Sequence, residues 1–303
     1  MSISGLSSQF TSILNKHSNS VSKAMQKLAS GSKINQAADN PAGLVISNLL
    51  QSQISGTQRA IQNTQEASNM LGIAEGGLAS INLPLAKAKQ LALASANSGV
   101  TTPGQTAANQ AEMNNILSSI QDIASSTNYA GRSLLNGTAV NMRLQLGESA
   151  GNSASFDLPD ISLANLGRIT VENEVTDPTT GQTTTVQESY SMADLMSGGR
   201  ASLASKPEIA AQVVDQAIKD ISGMRADIGA YQANTLEANA NSLGIALENI
   251  HATESAISDT DIAKAVTEQT TASIRMQAGI LGVQNLNKNA GNYLKLLGIN
   301  NQN

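Results

Sequence analysis

Two stretches of this chain alternate seam positions at steps of three and four, and they lie near its opposite ends. Met276, Ile280, Val283, Asn287, Ala290, Leu294 and Leu297 follow at steps of 4, 3, 4, 3, 4 and 3; Ile3, Leu6, Phe10 and Ile13 follow at 3, 4 and 3. That 3.5-residue period marks a coiled-coil stripe, which one helix alone leaves uncovered. The first helix is predicted over about 4–29. Ile13, His17 and Val21 step by 4 and 4, a stutter expected to unwind the supercoil locally. Leu28 closes this helix ahead of Gly31, a residue suited to a left-handed C-cap.

Asn40-Pro41 and Thr102-Pro103 each join a capping side chain to a proline at the first helical position. They start a second helix over about 41–96 and a third over about 104–126. The second carries Leu50, Ile54, Ile61, Leu71, Leu78, Ile81 and Leu85 on its seam, and Pro84 is expected to kink or split it. The third presents Met113, Ile116, Leu117, Ile120 and Ile123 on one face. From Asn128 the period changes to two. Residues 140–147, 154–158, 168–175 and 183–190 are candidate strands, with Asn136-Gly137 as a hairpin turn and Asp177-Pro178 and Thr180-Gly181 turning the last pair. A fourth helix is predicted from Pro207 to Ala256 on a seam of Val214, Ala217, Ile221, Met224, Ile228, Tyr231, Thr235, Ala238, Ser242 and Ile245. Ser258 and Asp261 stand at capping-box spacing before the fifth, which carries the C-terminal seam. The fold class is therefore mainly α: an elongated helical hairpin or coiled-coil bundle from the N- and C-terminal halves, around a small β-hairpin-rich insert.

Composition narrows what such a bundle can do. Aromatic residues make up 2% of the chain and Trp is absent, so the core draws on small and straight-chain apolar residues that suit close helix packing. Charged residues are 14%, against about 25% in an ordinary soluble domain, which points to an outer surface that meets other protein. A net charge of −5 without a basic run argues against nucleic acid as a partner. No stretch reaches 18 uninterrupted apolar residues, so no membrane insertion is expected, and residues 1–20 lack the pattern of a cleavable secretory signal. The absence of cysteine removes disulfides, thiolate metal sites and cysteine nucleophiles together.

Candidate chemistry is thin. His17 and His251 sit on predicted helices without neighbouring ligands at metal spacing, and His17 falls on the seam, where packing explains it. Gly147-Glu148-Ser149-Ala150-Gly151 matches G-x-S-x-G literally, but no helix pattern follows to form a nucleophile elbow, and the stretch reads as a turn. Asn136-Gly137-Thr138 is formally a glycosylation sequon and coincides with the predicted hairpin turn. Asp259 and Asp261 are accounted for by helix capping. No catalytic, metal or cofactor-binding residue is assigned.

Leu28-Ala29-Ser30-Gly31-Ser32-Lys33-Ile34-Asn35, followed by Ala37-Ala38-Asp39-Asn40-Pro41-Ala42-Gly43, resembles bacterial flagellin. The resemblance continues through Ala74-Glu75-Gly76-Gly77-Leu78, Asn128-Tyr129-Ala130-Gly131 and Arg225-Ala226-Asp227-Ile228-Gly229-Ala230. It closes with Ser258-Asp259-Thr260-Asp261-Ile262-Ala263 and Gln277-Ala278-Gly279, and so covers roughly 1–140 and 205–298. The start of the chain departs from the family pattern, and Thr235 stands where an arginine is usual.

The resemblance implies a structural subunit that polymerises into the extracellular filament of the bacterial flagellum, with no catalytic activity and no cofactor. It implies an inner-tube helix and linker at 1–40, a helical core at 41–150 and 205–257, a variable outer insert at 151–204 and a second inner-tube helix at 258–303. Terminal assembly is then expected through Ile3, Leu6, Phe10, Ile13, Leu28, Met276, Ile280, Val283, Leu294 and Leu297. Partners implied are further copies, the flagellar type III export apparatus, a secretion chaperone, and junction and cap proteins. The family's motif for the vertebrate Toll-like flagellin receptor maps onto Lys87, Leu91 and Glu112, with lysine in place of arginine. A hook–filament junction protein and a secreted helical effector or adhesin are the competing readings.

Overall fold

The computed structural model describes residues 3–97, 99–149, 151–176 and 183–296. In chain order the elements are α1 (Ile3–Ser30), α2 (Pro41–Ala96), α3 (Pro103–Ser126), β1 (Asn128–Tyr129), β2 (Arg132–Ser133), β3 (Met142–Gln145), β4 (Ser153–Phe156), β5 (Ile169–Thr176), β6 (Thr183–Tyr190), α4 (Pro207–Tyr231), α5 (Ala238–Ser258) and α6 (Ile262–Leu296). A short 3-10 turn at Met192–Leu195 precedes α4, and a π-helical segment, Gln232–Glu237, joins α4 to α5. The chain divides into one unit from 1–55 with 247–303 and another from 56–246.

In the first unit α1 and α6 lie antiparallel. Half-buried or buried positions on α1 include Phe10, Leu14, His17, Val21, Ala24 and Leu28; on α6 they include Ala265, Gln269, Ala272, Met276, Gly279, Val283 and Leu286. Both lines alternate threes and fours without interruption, so the stutter expected at Ile13, His17 and Val21 is absent: the seam passes through Leu14. Ile13 and Ile280 stand off the line and are 44% and 40% exposed. The physical reason is close approach. A Cβ added to Gly279 would sit 3.6 Å from Leu14 Cδ1, and one added to Gly282 would meet the Phe10 ring at 3.3 Å, so small residues admit the partner helix where bulky ones would hold it away.

Caps fix the ends of these helices. Asn40 Oδ1 accepts from Gly43 N at 3.0 Å ahead of α2, and Gly31, at φ +71°, ends α1 with its N–H on Lys27 O. The N-cap of α6 is Asp261, which accepts from Lys264 N. Ser258, expected in a capping box, remains in α5 and instead bonds Ser32 across the unit.

The second unit is a helical core of α2, α3 and α4 with small strand pairs folded against it. Leu71, Leu78, Ile81, Leu85, Met113, Leu117, Ile120, Val214 and Ile221 are inaccessible to solvent. The capping box at Thr102 forms as its sequence predicts, with Gln105 N on Thr102 Oγ1 and Thr102 N on Gln105 Oε1. Pro84 does not split α2. Leu78, Ile81, Leu85 and Ala88 are buried on both sides of it, and that packing outweighs one missing backbone bond. Leu117→Ala is expected to cost about 2–5 kcal/mol, read as a lower urea midpoint for the unit.

The β region keeps its expected order and loses one expected turn. Among the described residues three two-stranded antiparallel pairs form, β1–β2, β3–β4 and β5–β6. The first hairpin turns at Ala130-Gly131, where both residues have positive φ. Asn136-Gly137 does not join two paired strands: Leu134 and Leu135 go into the core, and Asn136 forms an isolated antiparallel bridge with Asp160. Gly147 and Ser149 follow β3 in the turn toward β4, where Asn152 N donates to Ser149 O. The turn at 177–182 lies outside the described residues.

The fourth predicted helix contains the π segment, which shifts its face by one residue. Ile228 is followed on the core side by Leu236, 1% exposed, rather than by Thr235, and Ile245 turns outward. The wider turn sets Tyr231 against Phe156, ring centroids 4.4 Å apart. It also places Asn239 to donate to Leu146 O at 2.8 Å, tying the β3–β4 hairpin to the helix.

Asp160 holds the loop after β4. Partial desolvation alone would raise its carboxyl; the amide N–H of Ser162 and the Asn165 and Ser162 side chains outweigh that and hold it below the usual carboxylate range. Its stabilising contribution is therefore present above the unfolded value near 3.8 and is lost as pH falls through the lower folded value. Asp160→Asn should lower the urea midpoint at neutral pH, and the gap to the unsubstituted chain should close in acid below that window.

Candidate assembly surfaces

Each helix of the first unit that buries one face leaves apolar residues on another. On α6, Ile274 and Leu281 are each 60% exposed, and Ile262 and Val266 continue the exposed apolar row toward the N-terminus of the helix. On the first turns of α2, Val45, Ile46 and Leu49 are exposed side by side, and Met25 is exposed on α1. Isolated exposed apolar residues are ordinary, but repeated exposed rows are candidates for contact surface.

The residues expected to build the terminal assembly divide among these faces. Phe10, Leu28, Met276 and Val283 lie on the internal seam. Ile13 and Ile280 flank it and are exposed. Ile3, Leu6 and Leu294 lie within α1 and α6, and Leu297 lies outside the described residues. Ile274 and Leu281, outward positions on α6, belong to neither 3–4 line and so were not singled out from the sequence. The available signal was their being large and apolar on a face that the seam does not use.

In the second unit, Lys87 and Glu112 form an ion pair between α2 and α3, both partly exposed. Leu91, one turn after Lys87, is partly buried against the core. Leu83, 80% exposed, stands one turn before Lys87. The structure thus brings the three mapped positions onto adjoining turns of two packed helices. Among the described residues no group of three or more His, Asp or Glu is placed to hold a metal, and no helix is long and apolar enough to cross a membrane.

The family model for the bacterial flagellin N-terminal helical region matches residues 2–140, and that for the flagellin C-terminal helical region matches 211–297. The chain belongs to the bacterial flagellins. It is 30% identical to a flagellin of Halalkalibacterium halodurans over 91% of each chain. A flagellin of Bacillus subtilis is 31% identical over 94% of this chain and 95% of that one. Superposition on the crystal structure of Bacillus cereus flagellin gives a TM-score of 0.44 at 24% identity, over 60% of this chain and 88% of that one. The two matched regions of this flagellin leave out 141–210, the segment that contains β3 to β6.

Proposed function

We propose that this chain is the repeating subunit of a bacterial flagellar filament, a structural role without catalysis, and that copies join through the outward apolar rows of the first unit. The observation that carries this reading is the exposed row on α6, from Ile262 to Leu281, on a helix whose seam is already occupied by α1. Burying such side chains between copies contributes about 1.5–3 kcal/mol each before ordering costs. In this reading 1–40 and 258–303 form the inner tube, 41–150 and 205–257 the surrounding helical layer, and 151–204 the outward insert. The subunit works outside the cell, reaching the tip through the export apparatus with a secretion chaperone and meeting junction and cap proteins there. Purified chain is expected to grow long filaments on its own seeds, seen by electron microscopy and sedimentation; rings or caps that do not extend would instead indicate a junction protein.

Receptor recognition through Lys87, Leu91 and Glu112 belongs to the same proposal. Lysine presents a point charge already engaged by Glu112 and lacks the planar fork of arginine. Lys87→Arg is expected to raise potency in receptor-reporter cells; equal potency would remove the argument.

A further inference from the structure

We propose that Asn136 is a site of spontaneous deamidation in the folded protein, converting to aspartate and isoaspartate through a cyclic imide. Asn136-Gly137 is the one Asn-Gly dipeptide in the chain. Gly137 has no side chain of its own beside its peptide nitrogen, and it takes φ +78°. Nothing larger fits there: a Cβ at Gly137 would lie 2.7 Å from Asp160 Oδ2.

The side-chain amide of Asn136 is held in a reactive setting. Its Oδ1 accepts from Thr138 N at 3.2 Å and from Thr138 Oγ1 at 2.6 Å. These bonds curl the side chain over the Gly137 peptide and polarise the amide carbonyl. The same two donors stabilise the negative charge that develops on Oδ1 when a nucleophile adds to Cγ. Thr138 is exposed and Asn136 half-buried, so solvent water reaches the site.

The chemistry needs only water. The Gly137 nitrogen, giving up its proton to solvent, bonds to Asn136 Cγ; the Cγ–Nδ2 bond breaks and the amide leaves as ammonia, closing a five-membered imide. Water then adds to one of the two imide carbonyls. Opening at the side-chain carbonyl gives aspartate, and opening at the main-chain carbonyl gives isoaspartate, whose backbone is longer by the side-chain methylene.

The product carries a carboxylate into a cross-strand position. Asn136 is bridged antiparallel to Asp160, and like charges opposed across such a pair repel. Two neighbouring backbone bonds join the same segments, Leu158 N to Ala139 O and Ile161 N to Leu135 O, each 3.0 Å. Conversion loosens this junction.

Full-length folded chain incubated in mildly alkaline buffer tests the proposal, with peptide mapping by mass spectrometry and isoaspartyl-methyltransferase labelling. Aspartate and isoaspartate should accumulate at position 136 ahead of every other asparagine. Thr138→Val should slow conversion about tenfold, less than the loss of an oxyanion donor costs in a water-excluded enzyme site, and Thr138→Ser should restore it. Amide exchange at Leu158 and Ile161 should quicken in converted chain. The proposal is overturned if position 136 stays intact in folded chain while urea-unfolded chain converts, or if Thr138→Val leaves the rate unchanged.

Discussion

Ile274→Asp with Leu281→Asp is expected to abolish filament growth while leaving the monomer folded. Both side chains are 60% exposed on α6 and take no part in the seam with α1, so the folded subunit loses little. Surface substitutions of this kind cost within about 0.5 kcal/mol of stability. Between copies the accounting reverses. Each position forfeits about 1.5–3 kcal/mol of burial and brings a carboxylate that must be desolvated without a partner. Far-UV circular dichroism of the monomer should match that of the unsubstituted chain, while seeded growth followed by sedimentation should stop. Normal elongation of the double variant would mean that copies meet elsewhere.

Gly167→Ala should strongly destabilise the second unit. Gly167 adopts φ +66°, and a Cβ there would lie 2.5 Å from the backbone oxygen of Val213 and 3.0 Å from Ala217 Cβ. Its own N–H donates to Asp220 Oδ2 at 3.0 Å, which prevents the segment from sliding away from α4. Left-handed strain and overpacking against backbone together come to about 3 kcal/mol or more. With no tryptophan in the chain, the readout is tyrosine fluorescence or circular dichroism across a urea titration. A midpoint unchanged from that of the unsubstituted chain would show that α4 yields at Val213.

Helix extents were legible because their ends are written in side chains that satisfy orphan amides. Asn40-Pro41 and Thr102-Pro103 announced α2 and α3 to within one residue. The phase of the terminal seam was not. A 3–4 alternation can be threaded through Ile280 or through Gly279, and the larger apolar residue is the natural choice until the partner helix is known to approach closely. The π segment was equally hidden, since one extra residue per turn leaves no composition mark. Only the burial of Leu236 in place of Thr235 reveals it. Asn136-Gly137 misled for a related reason. Its backbone preference was correct, and Gly137 does take positive φ, but the partner strand is the loop at Asp160 rather than β3. Outward faces such as Ile274 and Leu281 become readable only when the inward one is fixed.

The antiparallel pairing of α1 with α6 also orders events in time. Phe10 lies against Gly282, and Ser32 is bridged to Asp259, so partners in the first unit are more than 200 residues apart along the chain. Closing so long a loop in an unstructured chain costs on the order of 5 kcal/mol in entropy. Residues 56–246, by contrast, are continuous and can condense without either arm. The first unit is therefore the last to form and the first to open. On the proposed route through a narrow export channel, the terminal pair would close only after both arms have emerged, and the proposed assembly rows would be presented only once the subunit has arrived.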